Sequence, residues 1–462
     1  MNAIIEEKWK RWREQRLEDP DLKQEMQEMQ NDDRKITECF YKELEFGTGG
    51  MRGIIGAGTN RINIYTVAKA TQGYTNYLKN REKQPSVAIA YDSRIKSRLF
   101  AEVAAELFAA NGVRVHIYRG LMPTPMLSFA IRCLGCSGGI VITASHNPAK
   151  YNGYKVYGSD GCQITTQAAQ DIFEEIQKVD LFSSVKKGSF EEEIEKGRIS
   201  FIGEETVNAY MDAVSAQALC RREEIDRDVS IVYTPLNGAG LKPVLRCLRE
   251  NGFSNIFVVP EQEQPDGNFP TCPYPNPEVK EALELGIRDA RRLESDLVIA
   301  TDPDCDRVGI AVRDKEDYVL LSANEVGLLL LEYICSRRLE LHKMPPNPVM
   351  MKTIVTTDMA ARIAAYYGVQ VIDVLTGFKF IGEQIGFLER KGEEERFILG
   401  FEESYGYLTG TYVRDKDGVN AALMICEMFA YYKTQGKALI DVLNGLYADY
   451  HTHLTLPTIY SV

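Results

Sequence analysis

The sequence predicts an α/β protein of three consecutive βαβαβ domains, with largely parallel mixed sheets around a central cleft. The chain has 462 residues, too long for one hydrophobic core and typical of about three domains. Short β-branched runs alternate with stretches of helical apolar periodicity, and this alternation occurs three times. The third run of each unit ends in a polar loop, and such loops gather at the carboxyl edge of parallel strands.

The first domain is assigned to residues 39–205, after a charged helical arm at 1–38. Trp9 and Trp12 of the arm are one helical turn apart and therefore share a face. In the domain, three apolar runs predict strands, and two stretches with helical spacing separate them. The strands are expected at 87–91, 113–118 and 138–145, and the helices at 99–110 and up to Leu127.

The second and third domains, at 206–323 and 324–450, repeat the alternation, and a tail at 451–462 follows. In the second domain the strands are expected at 229–233, 255–260 and 296–302, with helices near 240–250 and 277–293. In the third domain the strands are expected at 350–357, 369–375 and 396–404, with helices near 359–367 and 380–389.

Composition and charge limit the partners. The net charge of −12 argues against a general nucleic-acid or anionic-membrane binder. No run reaches the roughly 18 apolar residues of a membrane helix, and the start lacks the apolar segment of a signal peptide. The ten cysteines are scattered, and the single close pair, Cys133 and Cys136, is weak evidence for zinc. We expect a cytoplasmic protein with reduced thiols.

The loop DPDCDR after the second domain's third strand predicts a metal site. Asp302, Asp304 and Asp306 alternate, so a short turn can aim three carboxylates at one point. Oxygen ligands without histidine or thiol suit Mg²⁺. An EF-hand is excluded because Arg307 and Arg313 stand where Gly and Glu are needed. The alternatives are a solvated acidic turn and a phosphatase of the aspartyl-phosphate type, against which the other two loops argue.

The loop TASHNP after the first domain's third strand predicts a phosphate carrier. Ser145 is not the serine of a hydrolase elbow, because Thr143 and Asn147 stand where glycines are required. A phosphorylated serine opposite a divalent cation suits phosphoryl transfer. His146 is a candidate to position the phosphoryl group, and Lys155 is a candidate acid or base if neighbouring cations or burial lower its pKa. A helix N-cap is the alternative for Ser145.

The loop GFEES after the third domain's third strand predicts sugar recognition. Glu402 and Ser404 are one strand period apart, so both can point at vicinal hydroxyls, although such a turn alone is commonly surface. The glycine-rich FGTGGMRG segment fits neither a dinucleotide fingerprint, because of Arg52, nor a phosphate-binding P-loop. For Arg94 a cleft position and a structural salt bridge are equally compatible with the sequence.

In this order and spacing, TASHNP, DPDCDR and GFEES resemble the α-D-phosphohexomutase superfamily, and within it the bacterial α-phosphoglucomutases of the phosphoglucomutase-2 and phosphopentomutase-like type. The likeness runs from about Phe40 to about Tyr447. It implies an intramolecular phosphotransferase of the isomerase class with a phosphoserine and one Mg²⁺ per chain. The implied reaction interconverts glucose 1-phosphate and glucose 6-phosphate through glucose 1,6-bisphosphate, which is both intermediate and activator.

The resemblance also implies roles for single residues. Ser145 carries the phosphoryl group and, with the three aspartates, holds Mg²⁺; Lys155 is the acid–base candidate. Arg52 and Arg307 are cations near the phosphoserine. The remaining implied contacts to substrate come from Thr376, Gly377 and Lys379 in LTGFKFIG, from Glu402 and Ser404, and from Arg414 and Lys416 in RDKDG.

One departure from the family pattern concerns its fourth domain, whose Arg-Ser-Gly-Thr-type loop grips the substrate's other phosphate. No such loop is found in the sequence, so we expect a chain without that domain and with impaired turnover. The alternatives in activity are phosphopentomutase, phosphomannomutase, and a non-catalytic sugar-phosphate-binding remnant. The expected partners are small sugar phosphates, with no nucleic acid or membrane, and the oligomeric state is not readable.

Overall fold

A computed structural model of the chain describes residues 2–47 and 49–451, so the predicted tail from 452 onward lies outside the described residues. The first domain begins with three helices and contains a seven-stranded sheet. Its elements are α1 (Ala3–Glu14), α2 (Pro20–Glu28), α3 (Asp33–Phe40), β1 (Phe46–Gly47), β2 (Gly50–Ile54), α4 (Ile64–Arg81), β3 (Ser86–Tyr91), α5 (Ser97–Ala110), β4 (Arg114–Ile117), α6 (Thr124–Cys133), β5 (Gly138–Ile142), β6 (Tyr151–Gly158), α7 (Thr166–Gln177), α8 (Phe190–Glu195) and β7 (Ile199–Phe201).

The second domain has a five-stranded sheet and the third a four-stranded one. The second contains α9 (Glu204–Ser215), β8 (Ile231–Thr234), α10 (Leu241–Glu250), β9 (Ile256–Val258), α11 (Pro260–Glu263), α12 (Lys280–Leu293), β10 (Leu297–Thr301), β11 (Val308–Asp314) and β12 (Asp317–Leu321). The third contains α13 (Ala323–Glu340), β13 (Val349–Thr353), α14 (Met359–Tyr366), β14 (Gln370–Val374), α15 (Phe378–Arg390), a 3₁₀ turn (Glu394–Arg396), β15 (Phe397–Glu402), β16 (Gly406–Leu408), α16 (Gly418–Thr434) and α17 (Leu439–His451).

The three sheets share one topological core. Each places its second parallel strand beside the first, the first beside the third, and an antiparallel strand beside the third: β4-β3-β5-β6, β9-β8-β10-β11 and β14-β13-β15-β16. The predicted fold class is therefore confirmed. The third parallel strand always turns back through a hairpin, and the three polar loops predicted from the sequence are these hairpins.

Both faces of the sheets are covered, as parallel strands require. Along β3, Val87 and Ile89 belong to one buried cluster, whereas Ala88 and Ala90 belong to another. The second of these clusters also contains side chains of the second and third domains. The three domains thus share a continuous hydrophobic core rather than meeting only at polar surfaces.

The N-terminal helices pack on the first domain through aromatic contacts. Trp12 is buried, and its ring centroid lies 5.8 Å from that of Phe40 and 5.5 Å from those of Tyr65 and Phe182. Offset and edge-to-face rings at such distances stabilise a core beyond the area they bury. The predicted shared face of Trp9 and Trp12 is therefore the face that α1 turns to the domain.

Two details differ from the predicted strands. The run at 350–357 forms a strand only as far as Thr353, and Ile354 and Val355 are more than half exposed. The antiparallel fourth strands were not predicted, because glycine and polar residues interrupt their apolar pattern. Across the described part of the chain, every helix is too short or too polar to cross a lipid bilayer.

Candidate active site

The hairpin loops that follow β5, β10 and β15 meet where the three domains join. Each loop holds one residue other than glycine with a left-handed backbone: Ser145 (φ 51°), Cys305 (φ 52°) and Tyr405 (φ 62°). Such conformations cost of order 1–3 kcal/mol each and tend to occur at functional sites. The repetition of this tight turn at one position of the topology marks the three loops as a structural set.

Three buried aspartates form the centre of the site. Asp302, Asp304 and Asp306 each offer a carboxylate oxygen, and these oxygens lie within 4.8 Å of one another. Asp302 Oδ1 accepts the backbone N–H groups of Asp306 and Arg307, both at 3.0 Å, so the loop closes on its first member. The three side chains thus converge on one point, as the sequence predicted.

This arrangement fits a divalent cation. Asp304 Oδ1 and Asp306 Oδ1 are buried and lack a hydrogen-bond partner among the described residues. A buried acceptor without a partner is costly, and a bound cation would satisfy both atoms. Because the cluster contains only carboxylates, it suits a hard ion such as Mg²⁺ rather than zinc.

Ser145 connects the first domain to this cluster. Its Oγ donates a hydrogen bond to Asp302 Oδ2 at 2.7 Å and lies 3.3 Å from Nδ1 of His146. Its backbone N–H donates to Thr143 Oγ1 at 2.7 Å. Burial, followed by the positive charges of Arg307 and Arg52, lowers the pKa of His146 to about 3. His146 is therefore a neutral imidazole at pH 7, so it can orient Ser145 by hydrogen bonding but does not add positive charge.

Arg94 holds the Ser145 loop through its backbone carbonyl groups. Its guanidinium is buried, donates to the carbonyl oxygens of Ser145 and Asn147, and reaches the carbonyl of Pro148 at 3.1 Å. Its Nε lies 3.5 Å from Asp92 Oδ2. Of the two readings that the sequence allowed, the structure has the structural one: Arg94 holds the loop and does not line the cleft.

Two lysines face the aspartates. Lys155 Nζ lies 2.8 Å from Asp304 Oδ2 and 3.4 Å from Asp306 Oδ2, and Lys416 Nζ lies 3.3 Å from Asp306 Oδ2. Burial alone would lower the pKa of Lys155, but the carboxylates of Asp304 and Asp306 outweigh it, and the pKa is raised. The lowered pKa that was the condition for Lys155 as an acid or base is therefore not observed, and the side chain is an ammonium able to donate a proton.

The predicted arginines Arg52 and Arg307 lie around the same loops. Arg52 Nη1 donates to Asn147 Oδ1 at 2.7 Å, next to Ser145 in sequence. Arg307 pairs with Glu278, and its Nε lies 3.8 Å from Asp306 Oδ1. Arg307 thus braces the metal loop.

The third loop presents Glu402 and Ser404 on one side. Ser404 Oγ donates to Glu402 Oε1 at 2.5 Å, and Lys416 Nζ lies 3.8 Å from that same oxygen. The intervening Glu403 points elsewhere and accepts from Thr353 Oγ1 at 2.6 Å. Alternation along the chain therefore separates a pair that faces the site from a carboxylate that holds the loop.

The other predicted third-domain residues divide into two groups. Thr376, which is exposed, and Gly377, which is half-buried, lie between β14 and α15, and Lys379 follows in the first turn of α15. Arg414 is different, because its guanidinium is fully buried and lies 2.9 Å from Glu389 at the contact between the first and third domains. The side chain packs at this junction, and its implied contact with a substrate phosphate stays a prediction.

Sequence reasoning missed several contacts that hold the metal loop. Thr124, at the start of α6, donates from Oγ1 to Asp304 Oδ2 at 2.8 Å. From the third domain, the N–H of Gly418 donates to the Cys305 carbonyl at 3.1 Å, and the Tyr405 carbonyl accepts from Val308 at 3.0 Å. The one available signal for Thr124 was its position directly after the loop that leaves β4, at the same sheet edge as Ser145.

Comparison with known proteins identifies the family. Three family models, described as phosphoglucomutase/phosphomannomutase alpha/beta/alpha domains I, II and III, match residues 43–182, 208–315 and 322–450. The chain belongs to the phosphoglucomutase/phosphomannomutase family. The resemblance drawn from the three loops is thereby confirmed, as is the enzyme class, a mutase that moves a phosphoryl group within its substrate.

A curated relative agrees with this assignment, and two solved structures share the fold. A phosphoglucomutase of Staphylococcus haemolyticus (strain JCSC1435) is 36% identical over 411 residues, covering 89% of this chain and 73% of the relative. A phosphoglucomutase/phosphomannomutase family protein from Burkholderia thailandensis, 21% identical, superposes with a TM-score of 0.68 over 87% of this chain and 79% of its own. The N-acetylphosphoglucosamine mutase of Aspergillus fumigatus, solved with GlcNAc-6P and magnesium, is 13% identical, with a TM-score of 0.53 over 89% and 80%.

Proposed function

We propose that this chain is a phosphoglucomutase that interconverts glucose 1-phosphate and glucose 6-phosphate through a phosphoserine at Ser145 and a glucose 1,6-bisphosphate intermediate. The observation that carries the proposal is the hydrogen bond of 2.7 Å between the Ser145 hydroxyl and Asp302 of the buried aspartate cluster. The name of the Staphylococcus relative supports glucose as the sugar.

One Mg²⁺ per chain is proposed, held by Asp302, Asp304 and Asp306 together with an oxygen on Ser145. When bound, the ion draws negative charge from the phosphoryl group in transfer. The magnesium named for the Aspergillus structure supports the choice of ion, and the unpartnered Oδ1 atoms of Asp304 and Asp306 support the ligand set.

The chemistry is two opposite phosphoryl transfers. In the first, a sugar hydroxyl oxygen forms a bond to phosphorus while the bond from phosphorus to Ser145 Oγ breaks. The bisphosphate then reorients, and the second transfer returns its other phosphoryl group to Ser145 Oγ. Each step moves one proton from the attacking hydroxyl to the oxygen that leaves.

Lys155 is proposed as the group that handles this proton. As an ammonium between Asp304 and Asp306 it can give its proton to the leaving oxygen and take the proton of the attacking hydroxyl. His146, being neutral, and Arg52 are proposed to hold the phosphoryl oxygens while the bond to Ser145 changes.

The third domain is proposed to choose and orient the sugar. Glu402 and Ser404 are joined by a hydrogen bond and can exchange it for contacts to two neighbouring hydroxyls. Contacts to the rest of the substrate are proposed for Thr376 and Gly377, between β14 and α15, and for the cations Lys379 and Lys416. A cytoplasmic location stays a prediction, and small sugar phosphates are the proposed partners.

Phosphorylation of Ser145 tests the proposal. The chain is incubated with glucose 1,6-bisphosphate and Mg²⁺, and its intact mass and peptide map are recorded. We expect one phosphoryl group, on the peptide that contains Ser145, and none on that peptide in Ser145→Ala. Ser200→Ala, on the edge strand β7, is the matched control and should phosphorylate normally. Phosphate on another residue with full activity in Ser145→Ala would overturn the proposal.

The sugar is tested separately in coupled assays with glucose, mannose and pentose phosphates, each with its bisphosphate. We expect the highest kcat/KM for glucose 1-phosphate. A higher value for a mannose or pentose phosphate would change the substrate but not the mechanism. Neither the pentose and mannose alternatives nor a non-catalytic remnant is favoured by the relatives' names.

A further inference from the structure

The first domain touches the metal loop of the second at Thr124, the first residue of helix α6. Thr124 is fully buried, and its Oγ1 donates to Asp304 Oδ2 at 2.8 Å. Its backbone N–H donates to the carbonyl oxygen of Asp304 at 2.9 Å. Thr124 of the first domain therefore hydrogen-bonds to both the side chain and the main chain of Asp304 in the second domain.

These contacts leave the two carboxylate oxygens of Asp304 in different environments. Oδ2 receives Thr124 Oγ1 and Lys155 Nζ, both at 2.8 Å. Oδ1 is buried and, within the described residues, has no hydrogen-bond partner. A carboxylate whose one oxygen is held by two donors cannot rotate freely, so its other oxygen stays directed at the gap shared with Asp306.

The two donors are not equivalent. Lys155 is a long, flexible ammonium that also contacts Asp306 and is proposed to transfer a proton during turnover. Thr124 is β-branched, sits on the first turn of a helix, and is restricted in χ1. The threonine is thus the fixed partner, and it keeps its position whichever way the lysine moves.

From this geometry we propose that Thr124 is a positioning residue for the metal centre, which orients Asp304 so that Oδ1 is presented to the cation. This inference rests on the proposed magnesium-dependent phosphoryl transfer. Groups that hydrogen-bond to a metal ligand orient it, and their loss typically costs about 10–100-fold in metal affinity or activity.

The contact also makes cation binding depend on how the first two domains dock. Asp304 belongs to the second domain, whereas its orienting hydroxyl comes from α6 of the first. A purely structural role is the competing explanation, in which the Thr124 hydroxyl only satisfies a buried acceptor and stabilises the interface. In that case its loss would lower the melting temperature without changing the affinity for the cation.

The test measures Mn²⁺ binding by electron paramagnetic resonance, and the Mg²⁺ concentration for half-maximal phosphorylation of Ser145 by mass. Thr124→Val removes the hydroxyl with little change in shape, Thr124→Ser keeps it, and Thr124→Ala removes it without adding strain. Thr71→Val is the matched control, because Thr71 is a buried threonine whose hydroxyl bonds within the first domain, to the Val67 carbonyl.

We expect Val and Ala at position 124 to weaken Mn²⁺ binding and raise the half-maximal Mg²⁺ concentration by about 10–100-fold. Saturating Mg²⁺ should recover much of the phosphorylation rate, and Thr124→Ser and Thr71→Val should bind Mn²⁺ as the unaltered chain does. Undiminished Mn²⁺ binding by Thr124→Val or Thr124→Ala, with or without a lower melting temperature, would overturn this inference alone. Failure of the unaltered chain to bind Mn²⁺ would overturn the proposed metal site and this inference with it.

Discussion

At the scale of single residues, the site is a balance of buried charges. Asp302, Asp304 and Asp306 are buried and carry up to three negative charges within a few ångströms of one another. Burial and the other two carboxylates raise the pKa of Asp302, whereas Lys155 keeps the pKa of Asp304 below its usual range despite burial. Lys155, Lys416 and Arg307 face the cluster, yet one oxygen each of Asp304 and Asp306 stays without a hydrogen-bond partner among the described residues, which favours a bound divalent ion.

Asp304→Asn tests this balance. The amide is a poor ligand for a hard cation, so we expect phosphorylation of Ser145 to slow by about 100-fold or more while the fold persists. The measurement is the phosphorylation rate as a function of Mg²⁺, with circular dichroism as the check on folding. Asp317→Asn, an exposed aspartate of the same domain paired with Arg291, is the control. Equal rates in Asp304→Asn and the control would contradict the ligand assignment.

A second residue-scale prediction concerns Glu106 on α5, away from the site. Burial raises the pKa of Glu106 from 4.5 to about 7, because the carboxylate is poorly solvated in the fold. The folded state therefore holds the proton more tightly than the unfolded state. The resulting stability is fully present below pH 4.5 and is lost as the pH rises to about 7.

Glu106→Gln should remove this loss of stability at high pH, because glutamine has no carboxyl group to ionise. We expect the variant to unfold like the unaltered chain near pH 4 and to be more stable at pH 8, by on the order of 1–2 kcal/mol after allowance for partial exposure. Thermal melts at the two pH values measure it. Glu102→Gln, one turn earlier on α5 and paired with Arg98, should show no such gain at pH 8. A Glu106→Gln variant no more stable than the unaltered chain at pH 8 would show that the carboxylate is well solvated.

At the scale of elements, periodicity predicted the parallel strands closely, because both of their faces are buried and their apolar runs are continuous. The apolar run at 350–357 is longer than the strand that it forms, because Ile354 and Val355 continue the apolar pattern into an exposed segment. Strand β6 was not predicted, because Asn152 and Gly153 interrupt the alternation of apolar residues. Lys155 was nevertheless singled out, and its place on β6 beside β5 explains why its side chain reaches the site.

The start of helix α16 offers a prediction at this scale. A Cβ built on Gly418 would lie 2.5 Å from the carbonyl oxygen of Cys305 in the metal loop. Since backbone on both sides is fixed, Gly418→Ala must displace that loop, at a cost of about 1–3 kcal/mol. We expect a lower melting temperature together with a higher half-maximal Mg²⁺ concentration.

The control for this change is Gly445→Ala on α17, where an added Cβ meets no atom within 4 Å. That substitution should leave Mg²⁺ dependence unchanged and stabilise the helix by up to about 1 kcal/mol. If Gly418→Ala kept the normal Mg²⁺ dependence, the contact between α16 and the metal loop would be without effect on the site.

At the scale of the whole molecule, the first and third domains are joined by a group of charges. Glu389 on α15 lies 2.6 Å from Arg132 of the first domain and 2.9 Å from Arg414 of its own. These contacts, Arg132 first, lower the pKa of Glu389 to about 2. The stabilisation is present above pH 4.5 and is lost as the pH falls toward 2.

Glu389→Gln should loosen this junction at neutral pH. We expect faster amide hydrogen exchange in α15 and α6 but unchanged exchange in the sheet of the first domain, because only the junction loses an ion pair. Glu393→Gln, whose partner Arg396 is in the same domain, is the control. Exchange that rises equally in both variants would mean that Glu389 stabilises the third domain itself.

The arrangement of domains was the part of the molecule least accessible from the sequence. Each loop motif could be recognised because its residues are close together in the chain. The residues that join one loop to another are far apart in the sequence and could not. Arg414 illustrates the limit: the family resemblance implied a phosphate contact, but nothing in its motif showed that the side chain is buried against Glu389 at a domain junction. Thr124 illustrates the converse, since only its place at the sheet edge, and no motif, pointed to an aspartate 180 positions away.

The assembly of the site from three hairpins has a consequence for how the protein loses activity. Each hairpin is local to its own sheet and can persist in a domain that has separated from its neighbours. The distances between Ser145, Asp304 and Lys416 exist only while the domains remain docked. Under mild denaturation the helical circular dichroism would therefore outlast catalysis, and the denaturant midpoint for activity would report the separation of domains rather than their unfolding.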